Sequence, residues 1–364
     1  MFIISTRNFP PEVGGMQNLM GGLAKALVNH GPVKVFADKS ENFEKYDKNS
    51  KIEIERFGGI KLLRKYRKAN RVTEYIAGSE NIRSIFFDHW KSVEKISFEK
   101  IKNITSFCLI HSKEINHPMG SILNKRVLNS IKKVKYIISN SNFTKKLAIS
   151  IGLPENKIYV IHPGCDEPIK IEKKFQAQAE EVYKDSFPKI LTVSRLDRRK
   201  NHQSILMCIK NLKEKFPKIK YISVGDGVEK SKLLSLVKEL RIEKEVTFIN
   251  KADEETKAAL IKNANLFLMP SIVFKKSVEG FGISFVEAAS YGVGSIGGKD
   301  GGEKDAIINE KTGLICDGDN INSIYKSIIK FFENENYKKY GTNALAFSEN
   351  FNWNKTVKKY LNLI

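Results

Sequence analysis

The sequence predicts an α/β protein built from two Rossmann-like, doubly wound domains, and three observations carry that prediction. Short apolar runs alternate with helical stretches along the chain, the pattern of parallel sheets covered by helices. The alternation runs through one series, breaks at a polar segment and starts again. At 364 residues, 41% of them hydrophobic, the chain is too long for one ordinary domain and apolar enough to bury two cores.

The first series places strands at 1–6, 34–38, 52–57, 84–88, 105–111, 136–141 and 158–162, with helices at 15–30, 60–77, 120–132 and 142–151. After His162-Pro163-Gly164, the stretch 167–187 is rich in Lys, Glu and Gln and ends at Pro188. That composition suits a surface linker, or a loop with a short helix. The second series opens at Lys189-Ile190-Leu191-Thr192-Val193 and continues with strands at 220–225, 246–250, 266–270 and 294–297. Its helices fall at 201–215, 229–240, 253–263 and 284–292, which gives domains over 1–166 and 167–349. The tail, 320–364, reads as two or three helices, and the last, from Phe351-Asn352-Trp353 to Leu363, is amphipathic.

Charge and cysteine usage narrow the classes. A total of 62 Lys and Arg against 41 Asp and Glu gives a formal +21, which favours anionic partners: nucleic acid, anionic lipid or phosphorylated substrates. A Lys-, Asn- and Ile-rich composition with solvated lysines accounts for the same number equally well. Cys108, Cys165, Cys208 and Cys316 are scattered without metal-ligand spacing, so a reduced, cytoplasmic compartment is expected rather than a disulfide framework. No signal-peptide pattern precedes the first strand, and no apolar run approaches the ~20 residues that a membrane crossing needs.

The most informative stretch is Glu279-Gly280-Phe281-Gly282-Ile283-Ser284-Phe285-Val286-Glu287. Its glycines allow close approach of backbone to ligand, and the helix start near Ile283 offers N–H groups to a diphosphate. A carboxylate accepts two hydrogen bonds and so suits vicinal hydroxyls, one glutamate for a sugar and the other for a ribose. Alone, the pair better fits a helix cap and a solvated carboxylate; the motifs around it reverse that balance. Arg195 and Lys200 lie five apart where a strand ends and a helix begins, placed to neutralise a diphosphate. Gly14-Gly15 after the first strand offers a second anion site, and His111 ends another strand, followed by Glu114. Gly301-Gly302-Glu303-Lys304-Asp305 is a turn able to cap the donor pocket.

Taken in this order, these residues resemble the retaining, GT-B fold glycosyltransferases of family 4, in particular the branch that contains phosphatidylinositol mannosyltransferases. The similarity runs from Phe9-Pro10-Pro11 and Gly15-Met16-Gln17 through His111, Arg195 and Lys200, Val224-Gly225-Asp226-Gly227 and Met269-Pro270-Ser271 to Glu279 and Glu287. It implies two Rossmann-like domains facing across a cleft, with a C-terminal helix, 350–364, crossing back to the N-terminal one. Acceptor is then held by 1–166 and a nucleotide-sugar donor by 167–349. It further implies that Arg195 and Lys200 grip the diphosphate, Glu279 the hexose and Glu287 the ribose. Phe281, Gly282 and Ile283 would contribute backbone amides, Gly15 would close on the diphosphate, and His111 would stand near the transferred sugar. Ser112 and Lys113 replace the Gly and His usual in the branch, and Asp305 stands where Glu is common.

The implied reaction moves a hexose from a GDP- or UDP-hexose to a hydroxyl of a lipid or lipid-linked glycan, with no cofactor and no bound metal. The segment 59–72 interleaves cations with apolar residues and, as a helix, would lie on an anionic membrane surface, with the alternative that Leu63 and Tyr66 face the core. A Rossmann-type oxidoreductase or epimerase would need Gly-x-Gly-x-x-Gly after the first strand, which Gly14-Gly15-Met16-Gln17 does not supply. A nucleic-acid-binding protein would leave Glu279 and Glu287 unexplained, so no nucleic acid is expected.

Overall fold

The computed structural model describes residues 1–364, which divide into two compact units, Met1–Asp166 with Phe351–Ile364, and Glu167–Asn350. The first holds β1 (Phe2–Ser5), β2 (Val33–Asp38), β3 (Glu53–Phe57), β4 (Ser84–Phe87), β5 (Thr105–Ile110), β6 (Tyr136–Ser139) and β7 (Ile158–Val160). The second holds β8 (Lys189–Val193), β9 (Lys220–Val224), β10 (Val246–Ile249), β11 (Leu266–Met269), β12 (Ser295–Gly298) and β13 (Gly313–Cys316). All pairings are parallel. The orders are β3-β2-β1-β4-β5-β6-β7 and β10-β9-β8-β11-β12-β13, so strand order reverses between β1 and β4 and between β8 and β11. Ligands of open α/β sheets bind at such switch points, beyond the carboxyl ends of the strands.

Burial on both faces explains the near-continuous apolar strands. Phe2, Ile3 and Ile4 are fully buried, as are Leu266, Phe267 and Leu268. The structure adds elements that the sequence pattern did not signal: β13 and the short helices Phe43–Lys48, Trp90–Val93, Phe98–Ile101, Ser112–Ile115 and Glu303–Ala306. Within 167–187 a ten-residue helix, Lys173–Val182, forms, and Tyr183 after it is fully buried.

The final helix, Trp353–Leu361, packs on the first unit. Val357 and Tyr360 join one face of its core, where the Tyr360 ring meets Phe86 and Phe107 edge-on at 5.6 and 5.7 Å. Trp353 occupies a slot that two glycines leave open: a Cβ at Gly22 or Gly164 would come within 2.2 or 2.3 Å of the indole. All four cysteines are buried and none forms a disulfide. No helix is long and apolar enough to cross a membrane.

Candidate functional site

In the second unit the site gathers where the strand order reverses. β8 runs into a tight turn, Arg198–Lys200, followed by Asn201 in the left-handed region. The Asn201 amide donates to the Pro270 and Gly318 carbonyls at 3.1 and 2.7 Å, tying the turn to the chain that follows β11 and β13. So held, Arg199 and Lys200 turn inward and are buried, and both pair with the same oxygen of Glu279. Burial alone would push the Glu279 carboxyl up; the Lys200 ammonium and the Arg199 guanidinium outweigh it and hold it down at about 2. Glu279 is therefore an anion with a fixed direction, presented by two cations.

The expected pairing of Arg195 with Lys200 takes a different form. Lys200 stands against Glu279, whereas the Arg195 side chain is 77% exposed and engages Asp197 at 3.2 Å. Arg199 occupies the inward position instead, a residue the sequence pattern did not single out. A second carboxyl also joins the site. The Gly302 N–H donates to the Glu279 carbonyl at 2.8 Å, which brings Glu303 in beside it. Glu303 is 1% exposed and neither of its carboxyl oxygens has a hydrogen-bond partner. Burial, then the neighbouring Glu279 charge, push its pKa well above the ordinary carboxylic range and favour its protonated form.

Gly282 precedes the helix Ile283–Ser290 with φ 87°, a conformation that favours glycine, and a Cβ there would meet the Phe285 ring at 2.5 Å. The first turn beyond it, at Ile283 and Ser284, opens the helix N-terminus with the partial positive charge that suits a phosphate. The Phe281 side chain is buried under this turn. Glu287, one turn along, is partly buried and pairs with Lys257 at 3.5 Å. Elsewhere in the unit, Asp300, Asp317 and Asp319 bring their carboxylates within 4.8 Å of one another, an acidic group the sequence pattern did not reveal. Lys299 already engages Asp317 at 2.6 Å.

In the first unit, Gly15 opens the helix Gly15–Val28, and a Cβ on it would meet nothing within 4 Å, so its backbone lies open to approach. His111 follows β5, with Nε2 3.3 Å from the Asp88 carbonyl. Burial lowers its pKa to about 4, so the imidazole is neutral at physiological pH and acts as a hydrogen-bonding group rather than a cation. Glu114 turns back to accept from the His111 N–H, and burial raises its pKa to about 8. That contact engages one oxygen of the carboxyl.

The segment 59–72 forms the start of the helix Lys61–Ala77 and corrects one expectation. Leu63 and Tyr66 do not face the core; with Ile60 and Leu62 they are exposed, at 57, 43, 73 and 62%. Several of the cations turn inward: Lys68 is buried on Asp38 and the Thr6 carbonyl, Arg64 also reaches Asp38, and Lys65 pairs with Glu94.

Two doubly wound units, one with a buried carboxylate–cation cluster and an open helix N-terminus at its switch point, define a GT-B fold glycosyltransferase. The chain belongs to the glycosyltransferases whose family models are Glycosyl transferases group 1, matched over residues 173–346, and Glycosyltransferase Family 4, matched over 13–167. It is 23% identical, over 90% of its length and 87% of the relative's, to a GDP-mannose-dependent alpha-(1-6)-phosphatidylinositol monomannoside mannosyltransferase of Mycolicibacterium smegmatis. It is 27% identical, over 60% of its length and 57% of the relative's, to a Campylobacter jejuni enzyme. That relative is N-acetylgalactosamine-N,N'-diacetylbacillosaminyl-diphospho-undecaprenol 4-alpha-N-acetylgalactosaminyltransferase. Among solved structures, Anabaena Alr3699/HepE in complex with UDP superposes with a TM-score of 0.82 at 17% identity, over the whole of both chains.

Proposed function

We propose that this protein transfers a hexosyl group from a GDP- or UDP-hexose to a hydroxyl of a lipid or lipid-linked glycan acceptor at the cytoplasmic face of a membrane, without a metal and with retention of configuration. The observation that carries the reading is the Glu279–Arg199–Lys200 cluster beside the helix N-terminus at Ile283. An anion fixed by two cations accepts from sugar hydroxyls, while the helix start and the exposed Arg195 take the diphosphate. In the reaction, the bond from the anomeric carbon to the diphosphate oxygen breaks and a bond to the acceptor oxygen forms on the same face. The departing phosphate receives the acceptor proton, and Lys200, Arg195 and the helix N-terminus stabilise its growing charge in place of a metal. His111, neutral, orients the acceptor or the sugar by hydrogen bonding.

The named relatives support the substrate classes: one uses GDP-mannose and a phosphatidylinositol glycolipid, another acts on a diphospho-undecaprenol-linked saccharide. The exposed Ile60, Leu62, Leu63 and Tyr66 favour contact with a membrane, since isolated apolar residues are common on surfaces but a run on one helix end suits an interface. The test is a thermal-shift and hydrolysis screen of the purified protein against GDP-, UDP- and ADP-hexoses with chelator present. Stabilisation or slow hydrolysis by at least one donor is expected; no response to any of them overturns the donor site.

A further inference from the structure

The first unit carries a second concave site that none of the predicted donor residues explains. It lies where β1 and β4 adjoin, the point at which strand order reverses, and encloses a cavity of about 60 Å³. Ser5 and Arg7 come from the end of β1, Asp38 from the end of β2, and Lys91, Ser92 and Lys95 from the segment after β4. The helix Lys61–Ala77 closes the remaining side with Lys61, Arg64, Lys65 and Lys68. Seven cationic side chains therefore line this space against a single carboxylate, Asp38.

The internal pairs do not balance that charge. Asp38 is shared between Lys68 at 2.6 Å and Arg64 at 3.2 Å, and Lys65 is met by Glu94, which also serves Arg126. Arg7 and Lys61 have no carboxylate partner, and Lys91 and Lys95 lie over the Trp90 and Tyr66 rings at 5.2 and 4.4 Å. Crowding shows in the protonation equilibria: burial first, then Arg126, Lys95, Lys91 and Arg7, lower Lys65 to about 8. Lys68 and Lys91 are lowered for the same leading reason. Like charges converging on a partly desolvated space repel one another strongly unless an anion enters. A planar monoanion would offset one of them. A phosphate, with two negative charges and oxygens directed to several sides, meets donors arriving from β1, β4 and the helix together.

We infer that this basic cavity at the β1–β4 switch point is a phosphate-binding subsite, so that the acceptor presents a phosphate group to the first unit. The last clause rests on the transferase reading; the phosphate site itself does not. The same chemistry is offered by a lipid phosphomonoester headgroup and by free phosphate or a soluble phosphomonoester.

The test titrates the full chain with inorganic phosphate by calorimetry, with saturating nucleoside diphosphate to occupy the donor side. Lys61→Gln and Lys91→Gln are compared with the unsubstituted chain; Lys61 holds no internal ion pair, so its removal spares the fold. Saturable binding that weakens about tenfold in each variant, and that weakens with added salt, is expected. Phosphatidic acid vesicles, which present a phosphomonoester, assign the group to a lipid headgroup if they displace phosphate where phosphatidylcholine vesicles do not; failure to displace it assigns a soluble phosphate. Absence of binding, or affinity unchanged in both variants, overturns the subsite. Nucleotide-sugar binding measured on the same protein separates the two readings. Its absence with phosphate binding retained sinks the transferase and leaves the subsite, and the reverse sinks the subsite alone.

Discussion

The two switch points of the molecule use opposite electrostatics. At β8–β11 the charges are matched in place: the carboxylates of Glu279 and Asp197 face the buried cations Arg199 and Lys200, and Glu303, whose pKa burial raises, lies alongside. At β1–β4 they are not: seven cations share one lining carboxylate. A matched cluster is preorganised and offers directed hydrogen bonds to neutral hydroxyls, whereas an unmatched one is completed only by an incoming anion. The same fold element thus serves recognition by geometry in one unit and recognition by charge in the other.

The largest effect is expected where matching is broken. Glu279→Ala strands Arg199 and Lys200 in a buried setting, and should lower turnover about a thousandfold and stability by about 3 kcal/mol. Turnover with saturating donor and a denaturant melt check both figures. A variant with ordinary turnover would show that the matched cluster is only structural.

A smaller change is expected at the rim of the unmatched site. Leu62→Gln with Leu63→Gln removes two exposed apolar side chains without touching a core contact. Binding to anionic vesicles should fall about thirtyfold or more while the melting temperature stays in place, since each of the two groups is worth roughly 1–2 kcal/mol when buried. Unaltered flotation would remove membrane contact from this helix and leave only the cavity behind it.

The smallest effect concerns Glu303, and its sign follows from the direction of its shift. A carboxyl whose folded pKa is raised above the ordinary 4.5 contributes stability that is full below about 4.5 and lost as pH rises through the folded value. Glutamine has nothing to ionise, so Glu303→Gln should gain on the unsubstituted chain as pH increases. Melting curves at pH 6 and pH 9 should differ in that sense; a constant difference would mean that Glu303 carries no buried proton.

Much of this architecture is legible in the sequence, because strands buried on both faces leave unmistakable apolar runs such as Phe2-Ile3-Ile4 and Leu266-Phe267-Leu268. β13 is not, since Gly313-Leu314-Ile315-Cys316 is short and opens on a glycine after a polar turn. Glu279 and Glu287 stand out in the sequence through their glycine-rich company. Arg199 is hidden because Arg198, Arg199 and Lys200 are alike in sequence, and only the tight turn decides which of them points inward. Glu303 sits within a turn flagged as a cap, but its burial comes from the Gly302–Glu279 hydrogen bond, a contact across 23 residues. The basic cavity is harder still: Arg7, Lys61 and Lys91 are spread over three segments in a chain already rich in cations, and only the parallel pairing of β1 with β4, closed by the helix Lys61–Ala77, brings them together.

The closing helix has a consequence for biosynthesis. Tyr360 and Val357 cover the Phe86 and Phe107 face, yet a ribosome adds them only after the whole of the second unit. The N-terminal half therefore emerges early with an aromatic surface uncovered and waits for the helix Trp353–Leu361 to cover it. A chain that breaks off before Trp353 keeps that surface exposed, and so carries a mark that chaperones and proteases read. Synthesis of the second unit thus precedes completion of the first-made core.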